Sequence, residues 1–81
     1  MLNRKRIIIT GAAQGIGAVM AVGFAAMGAK VTLADIADPG EAVERVRAKG
    51  GAAIGVQADV TRIDDCARMV AETEEAFGGL D

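Results

Sequence analysis

The sequence predicts an α/β protein built on a parallel sheet, and three observations carry that reading. Short apolar runs, several of them β-branched, alternate with stretches of helical periodicity in the order β-α-β-α-β-α. The connections are only a few residues long, and no repeat, low-complexity tract or linker interrupts the alternation. The first run ends at Gly11, and Gly15 and Gly17 then open the helical pattern that follows. Such alternation implies parallel strands joined by right-handed crossovers.

Each element follows in turn. Ile7-Ile8-Ile9 is continuous rather than alternating, as in a strand buried on both faces. Ile16, Val19, Met20, Phe24 and Met27 recur at helical spacing and mark the packed face of a first helix, with Gly28 placed to end it. Lys30 to Ala34 is a second strand closing at Asp35. Asp38 is placed to cap a second helix with Pro39 in its first turn. Val43 and Val46 give that helix a narrow apolar stripe, Glu41 and Arg45 stand four apart, and Gly50-Gly51 stop it. Ala52 to Gln57 is a third strand. Thr61 with Asp64 resembles a capping box, and Ile63, Cys66, Ala67, Val70 and Phe77 mark the inner face of a third helix ended by Gly78-Gly79. In a doubly wound sheet the first three strands lie in the order 3-2-1, and a fourth joins on the far side of the first. Leu80-Asp81 is where that fourth strand is expected to begin. The reading is therefore a partial domain over residues 1–81, the N-terminal part of a Rossmann-type doubly wound sheet, a fragment ending before its fourth strand.

Composition narrows the function. At 52% hydrophobic and 25% charged residues, the chain is expected to fold as one small domain. Net charge is −2 and no basic block follows Arg4-Lys5-Arg6, so nucleic acid is not an expected partner. One cysteine, Cys66, and no histidine offer neither an internal disulfide nor metal-ligand spacing, and a reducing, cytoplasmic setting is expected. Cys66 falls on the apolar face of its helix and reads as a core residue. The chain has no Ser, Tyr, His or Trp, so most side chains used as nucleophiles or general acids and bases are absent. No catalytic residue is assigned.

The chemistry that remains is binding. A strand turning sharply into a helix presents bare backbone N–H groups and the positive end of a helix dipole, which suits a phosphate. Gly11, Gly15 and Gly17 form G-x-x-x-G-x-G at such a turn. Asp35 ends the second strand, where a carboxylate either accepts hydrogen bonds from the hydroxyls of an adenosine ribose or is an ordinary solvated strand-end residue. Asp59-Val60 ends the third strand on the same rim, where Asp59 is either an acceptor for the adenine amino group or an ordinary turn residue.

Thr10-Gly11-Ala12-Ala13-Gln14-Gly15-Ile16-Gly17, Asp35-Ile36, Asp59-Val60 and Phe77-Gly78-Gly79-Leu80-Asp81 together resemble the short-chain dehydrogenase/reductase family. The resemblance implies that the glycine turn holds a pyrophosphate, with backbone at Gln14 and Ile16 facing the phosphates and Gly11, Gly15 and Gly17 permitting the approach. It implies that Asp59 and Val60 border adenine. It also implies NAD rather than NADP, because Asp35 would face the 2′-phosphate and the positions where NADP users carry a basic residue are Ala13 and Ile36. A desolvated carboxylate left without its partner costs about 1–3 kcal/mol before repulsion is added. The implied reaction is hydride transfer between NAD(H) and a small-molecule alcohol or carbonyl substrate, in a protein that often forms homo-oligomers. The family's catalytic Ser, Tyr-x-x-x-Lys and Asn-Ala-Gly segment match nothing in these residues, so the 81 residues alone are expected to be inactive.

Two rivals come from other classes. One is a stand-alone, non-catalytic nucleotide-binding module. The other is a membrane-anchored or secreted peptide, since Ile7 to Ala29 is 23 residues without a charge behind a basic cluster, with Gly11-x-x-x-Gly15 as a packing motif. The five glycines in that run, together with Thr10 and Gln14, make it only moderately hydrophobic, and no membrane role is expected.

Overall fold

A computed structural model describes residues 2–81. Its elements are β1 (Arg6–Thr10), α1 (Gly15–Ala26), β2 (Lys30–Asp35), α2 (Gly40–Ala48), β3 (Ala52–Gln57) and α3 (Ile63–Phe77). The three strands are parallel in the order β1-β2-β3, with Arg6 opposite Lys30 and Lys30 opposite Ala52. The predicted alternation and strand order are both present. The charge-free run is divided into a strand, a turn and a 12-residue helix, and among the described residues no helix is long and apolar enough to cross a membrane.

Side chains alternate across the pleat of β2 and so divide the core in two. Val31 and Leu33 point to one face, where they pack with α1 and α2 through Ala18, Ala21, Ala42, Val43 and Val46. Thr32 and Ala34 point to the other, where Ala34 packs with Val56 and Met69 of α3. The result is a layer of two helices, a sheet, and a layer of one. Burying a side chain such as Leu33, which is wholly inaccessible to solvent, contributes about 1.5–3 kcal/mol. Each helix ends beside a glycine of positive φ, Gly28 at 97°, Gly50 at 84° and Gly78 at 82°.

Several local expectations are corrected. β1 is only half-buried at Ile7 and Ile8, because among the described residues its one strand neighbour is β2 and its other edge meets residue 81 alone. There Asp81 N–H donates to Arg6 O at 3.0 Å, on the side where a fourth strand is expected. The expected inner face of α1 is its outer one: Ile16, Val19, Met20 and Met27 are exposed, Phe24 is half-buried, and the alanines Ala18 and Ala21 are buried instead. In α3 the buried positions are Met69 and Thr73, with Cys66 and Phe77 half-buried, while Ile63, Ala67 and Val70 face out. The N-cap residue of α2 is Pro39 and not Asp38, which stands one residue earlier and accepts the Gly40 N–H at 2.9 Å, and Pro39 lies outside the first turn. The ion pair on α2 joins Glu44 to Arg47 rather than Glu41 to Arg45. The Thr61–Asp64 box does not form, because Asp59 takes the Thr61 N–H and hydroxyl at 2.9 and 2.6 Å.

Candidate functional site

Three parallel strands bring their C-terminal ends to one rim, and the loops that leave them enclose a common cleft. Thr10, Gly11, Asp35, Ile36, Ala58, Asp59 and Val60 line it, and its volume is about 370 Å³. Of the residues singled out in the sequence, Gly11, Asp35, Ile36, Asp59 and Val60 are therefore together. Gln14, Gly15, Ile16 and Gly17 stand apart from the lining, at the first turn of α1.

That turn has free donors. A helix leaves its first four N–H groups without an intrahelical partner, here those of Gln14 to Gly17. None of the three helices has a side-chain N-cap, but the other two carry acidic residues at this end: Glu41, with Asp38 on the Gly40 N–H, for α2, and Asp64 and Asp65 for α3. The first turn of α1 has neither an acidic residue nor a side-chain cap. Its partial positive charge is thus left open to an external anion.

The glycines differ in what they do. Gly11 and Gly15 have φ of 65° and 64°, a backbone region that side chains disfavour, and a Cβ on either would meet open space. Gly17 has an ordinary φ, but a Cβ there would run into the Gly11 carbonyl oxygen and come within 3.0 Å of Ala12 Cα. Gly17 lets helix and loop close on each other.

Both rim carboxylates are held by local donors. Asp35 Oδ1 accepts the Ala37 N–H at 3.0 Å and Oδ2 accepts the Ala13 N–H at 2.9 Å. The Ala37 bond, then the Ala13 bond, lowers its pKa below the ordinary carboxylate value. Asp59 is lowered by the Thr61 hydroxyl and then the Thr61 N–H, and its own N–H is held by Asp65 Oδ2 at 2.8 Å. At neutral pH both are anionic acceptors, suited to hydroxyl or amino donors, beside a helix end suited to an anion. Among the described residues no group of three His, Cys, Asp or Glu is placed to hold a metal ion.

Sequence reading missed Asp65, and it gave Ala13 and Thr61 other roles than holding the two rim carboxylates. Ala13 acts only through its backbone N–H, which leaves no mark on residue type. An acidic residue in the first turn of α3 was visible, but which neighbour it would reach was not.

The sequence pattern of the short chain dehydrogenases matches residues 5–81. The chain is 48% identical over 80 residues to galactitol 2-dehydrogenase of Agrobacterium fabrum, covering 99% of this chain and 31% of that protein. It is 46% identical over 81 residues to the 2,5-dichloro-2,5-cyclohexadiene-1,4-diol dehydrogenase of Sphingobium indicum, covering 99% and 32%. Among solved structures, a short chain dehydrogenase from Mycobacterium avium superposes with a TM-score of 0.95 at 33% identity, over 99% of this chain and 32% of the other. A hydroxysteroid dehydrogenase from Escherichia coli gives 0.96 at 32% identity, over 99% and 35%. The chain spans about a third of the length of these relatives.

Proposed function

This chain belongs to the short-chain dehydrogenase family, and on that premise we propose that residues 1–81 are the NAD-binding portion of an oxidoreductase. The observation that carries the reading is the uncapped, charge-free N-terminus of α1, set on the same rim as two ionised carboxylates. The backbone of Gln14 and Ile16 takes the pyrophosphate, with Gly11, Gly15 and Gly17 admitting it. Asp35 accepts from the adenosine ribose hydroxyls. Ile36, Asp59 and Val60 border adenine, and the exposure of Ile36 and Val60 leaves apolar surface for a base to cover.

NAD is favoured over NADP because Asp35 sits on this rim and no basic side chain stands at Ala13 or Ile36. In the complete protein, hydride passes between the nicotinamide and a small alcohol or carbonyl compound. Groups outside these residues supply the proton transfer, since no Ser or Tyr is present here. A cytoplasmic homo-oligomer is the expected setting.

Titration of the intact protein with NAD and NADP, alongside Gly15→Val, tests this. NAD is expected to bind more tightly than NADP, and folded Gly15→Val to bind neither. Undiminished NAD affinity in Gly15→Val would remove the glycine turn from the site.

A further inference from the structure

Asp35 is held at both carboxylate oxygens, and the two donors come from different segments. Ala37 lies just past β2, whereas Ala13 lies in the turn between β1 and α1, 22 residues away in sequence. The neighbouring Ala12 N–H donates to Ala34 O at 3.1 Å. Two consecutive amides of the turn are thus fastened to two consecutive residues of β2, one through backbone and one through the Asp35 side chain. The next four N–H groups, Gln14 to Gly17, are the ones without partners.

Resting on the dinucleotide reading above, we propose that Asp35 is a positioning residue for the phosphate turn as well as an acceptor for the ribose. By holding Ala13 N–H it fixes the turn before any ligand arrives, so the entropy of ordering it is not lost at binding. The same two bonds keep the carboxylate from rotating away. A 2′-phosphate therefore meets a negative charge that cannot swing aside, which makes the fastening part of the discrimination. Two lone pairs used by N–H donors leave others on the same oxygens for ribose hydroxyls, so both roles are compatible.

The test uses the intact protein with Asp35→Ala and Asp35→Asn, and two probes. One probe is NAD; the other is NAD lacking both hydroxyls on the adenosine ribose, which removes the direct contacts of Asp35. Asp35→Ala is expected to bind the dideoxy probe roughly three- to tenfold more weakly than the parent, because the turn is loosened. Without cofactor, the Ala13 amide in Asp35→Ala is expected to exchange hydrogen roughly tenfold faster, with amides of β3 unchanged. Asp35→Asn keeps one acceptor oxygen and is expected to protect only one of the Ala13 and Ala37 amides. Equal affinity of parent and Asp35→Ala for the dideoxy probe, with weakened NAD binding, would confine Asp35 to the hydroxyls and overturn the proposal. Unchanged Ala13 exchange would overturn it without reference to any ligand. NAD binding indifferent to every Asp35 variant would instead remove Asp35 from the cofactor site and overturn the cofactor half of the proposal, with the exchange result still deciding whether the turn is fastened. Loss of the dinucleotide reading itself would show as no NAD binding by the parent.

Discussion

Individual atoms decide how the same residue type serves different ends. Gly15 has an unusual φ and open space, so Gly15→Ala should cost the strain of a left-handed residue, roughly 1–2 kcal/mol. Gly17 has no unusual φ but no room either, and its neighbour is backbone that cannot rotate away. Gly17→Ala is therefore expected to lower the thermal midpoint more than Gly15→Ala does, a ranking that calorimetry of the two variants checks. A second residue-scale case lies on the opposite face of the sheet. Thr32 Oγ1 and Thr73 Oγ1 are 2.8 Å apart and wholly buried, and Thr73 also donates to Met69 O at 2.8 Å. One hydroxyl has one proton, so Thr32 must be the donor between them. Thr73→Val would strand the Thr32 hydroxyl in the core at about 1–3 kcal/mol, whereas Thr32→Val leaves Thr73 its bond to Met69. The double valine variant is expected to be more stable than Thr73→Val alone, and a double-mutant cycle in urea measures the difference.

At the scale of elements, α1 shows how a helix can be found in sequence while its facing is not. Its large side chains, Ile16, Val19 and Met20, point away from the sheet, and Ala18 and Ala21 point toward it. Small residues let the helix axis approach β1 and β2, so size and not hydropathy selects the inner face. Ala21→Leu is accordingly expected to destabilise by about 1–3 kcal/mol through overpacking, roughly 4–8 °C per kcal/mol in a domain this size. Val19→Ala in the same 81-residue chain is expected to shift the midpoint far less, and a matching loss in both would put the packed face elsewhere. The order of elements was legible because strand period, helix period and terminating glycines all agree. Facing was not legible in α1, which is apolar all round and so carries no phase. In α3 the buried polar Thr73 hid the true stripe, which is turned from the expected one by less than a quarter of a revolution. The cleft was legible for a simpler reason. In a parallel sheet every strand ends on the same side, so Gly11, Asp35 and Asp59 had to share a rim once the strands were recognised. What tightens that rim, the Ala13 and Ala37 amides on Asp35, is a matter of backbone direction that residue identity does not encode.

Across the whole molecule, one contact ties the two ends of the described chain together. Arg6 Nε and Nη2 meet Asp81 Oδ2 and Oδ1 at 2.9 and 3.2 Å, and Arg6 N–H also donates to Asp81 Oδ2 at 2.9 Å, across 75 positions of sequence. With Asp81 N–H on Arg6 O, this seats residue 81 on the outer edge of β1, the edge that β2 leaves unpaired. A strand edge left open invites pairing with another chain, and here residue 81 occupies that edge at Arg6. The guanidinium and the Arg6 N–H together lower the Asp81 pKa to about 2. A carboxylate depressed in the folded state stabilises it above the ordinary carboxylate value near 4, and that stabilisation is lost as the pH falls through about 2. Asp81→Asn should therefore flatten the loss of thermal midpoint between pH 4 and pH 2 without abolishing it, because Asp35 and Asp59 are depressed in the same direction. Since Arg6 and Asp81 are both partly exposed, the difference should shrink in high salt. Thermal melts of the parent and Asp81→Asn at pH 7, 4 and 2.5, each at low and high salt, would measure it. Superimposable profiles would mean that the pair does not hold the edge of β1, and that the seat rests on the single backbone bond from Asp81 to Arg6.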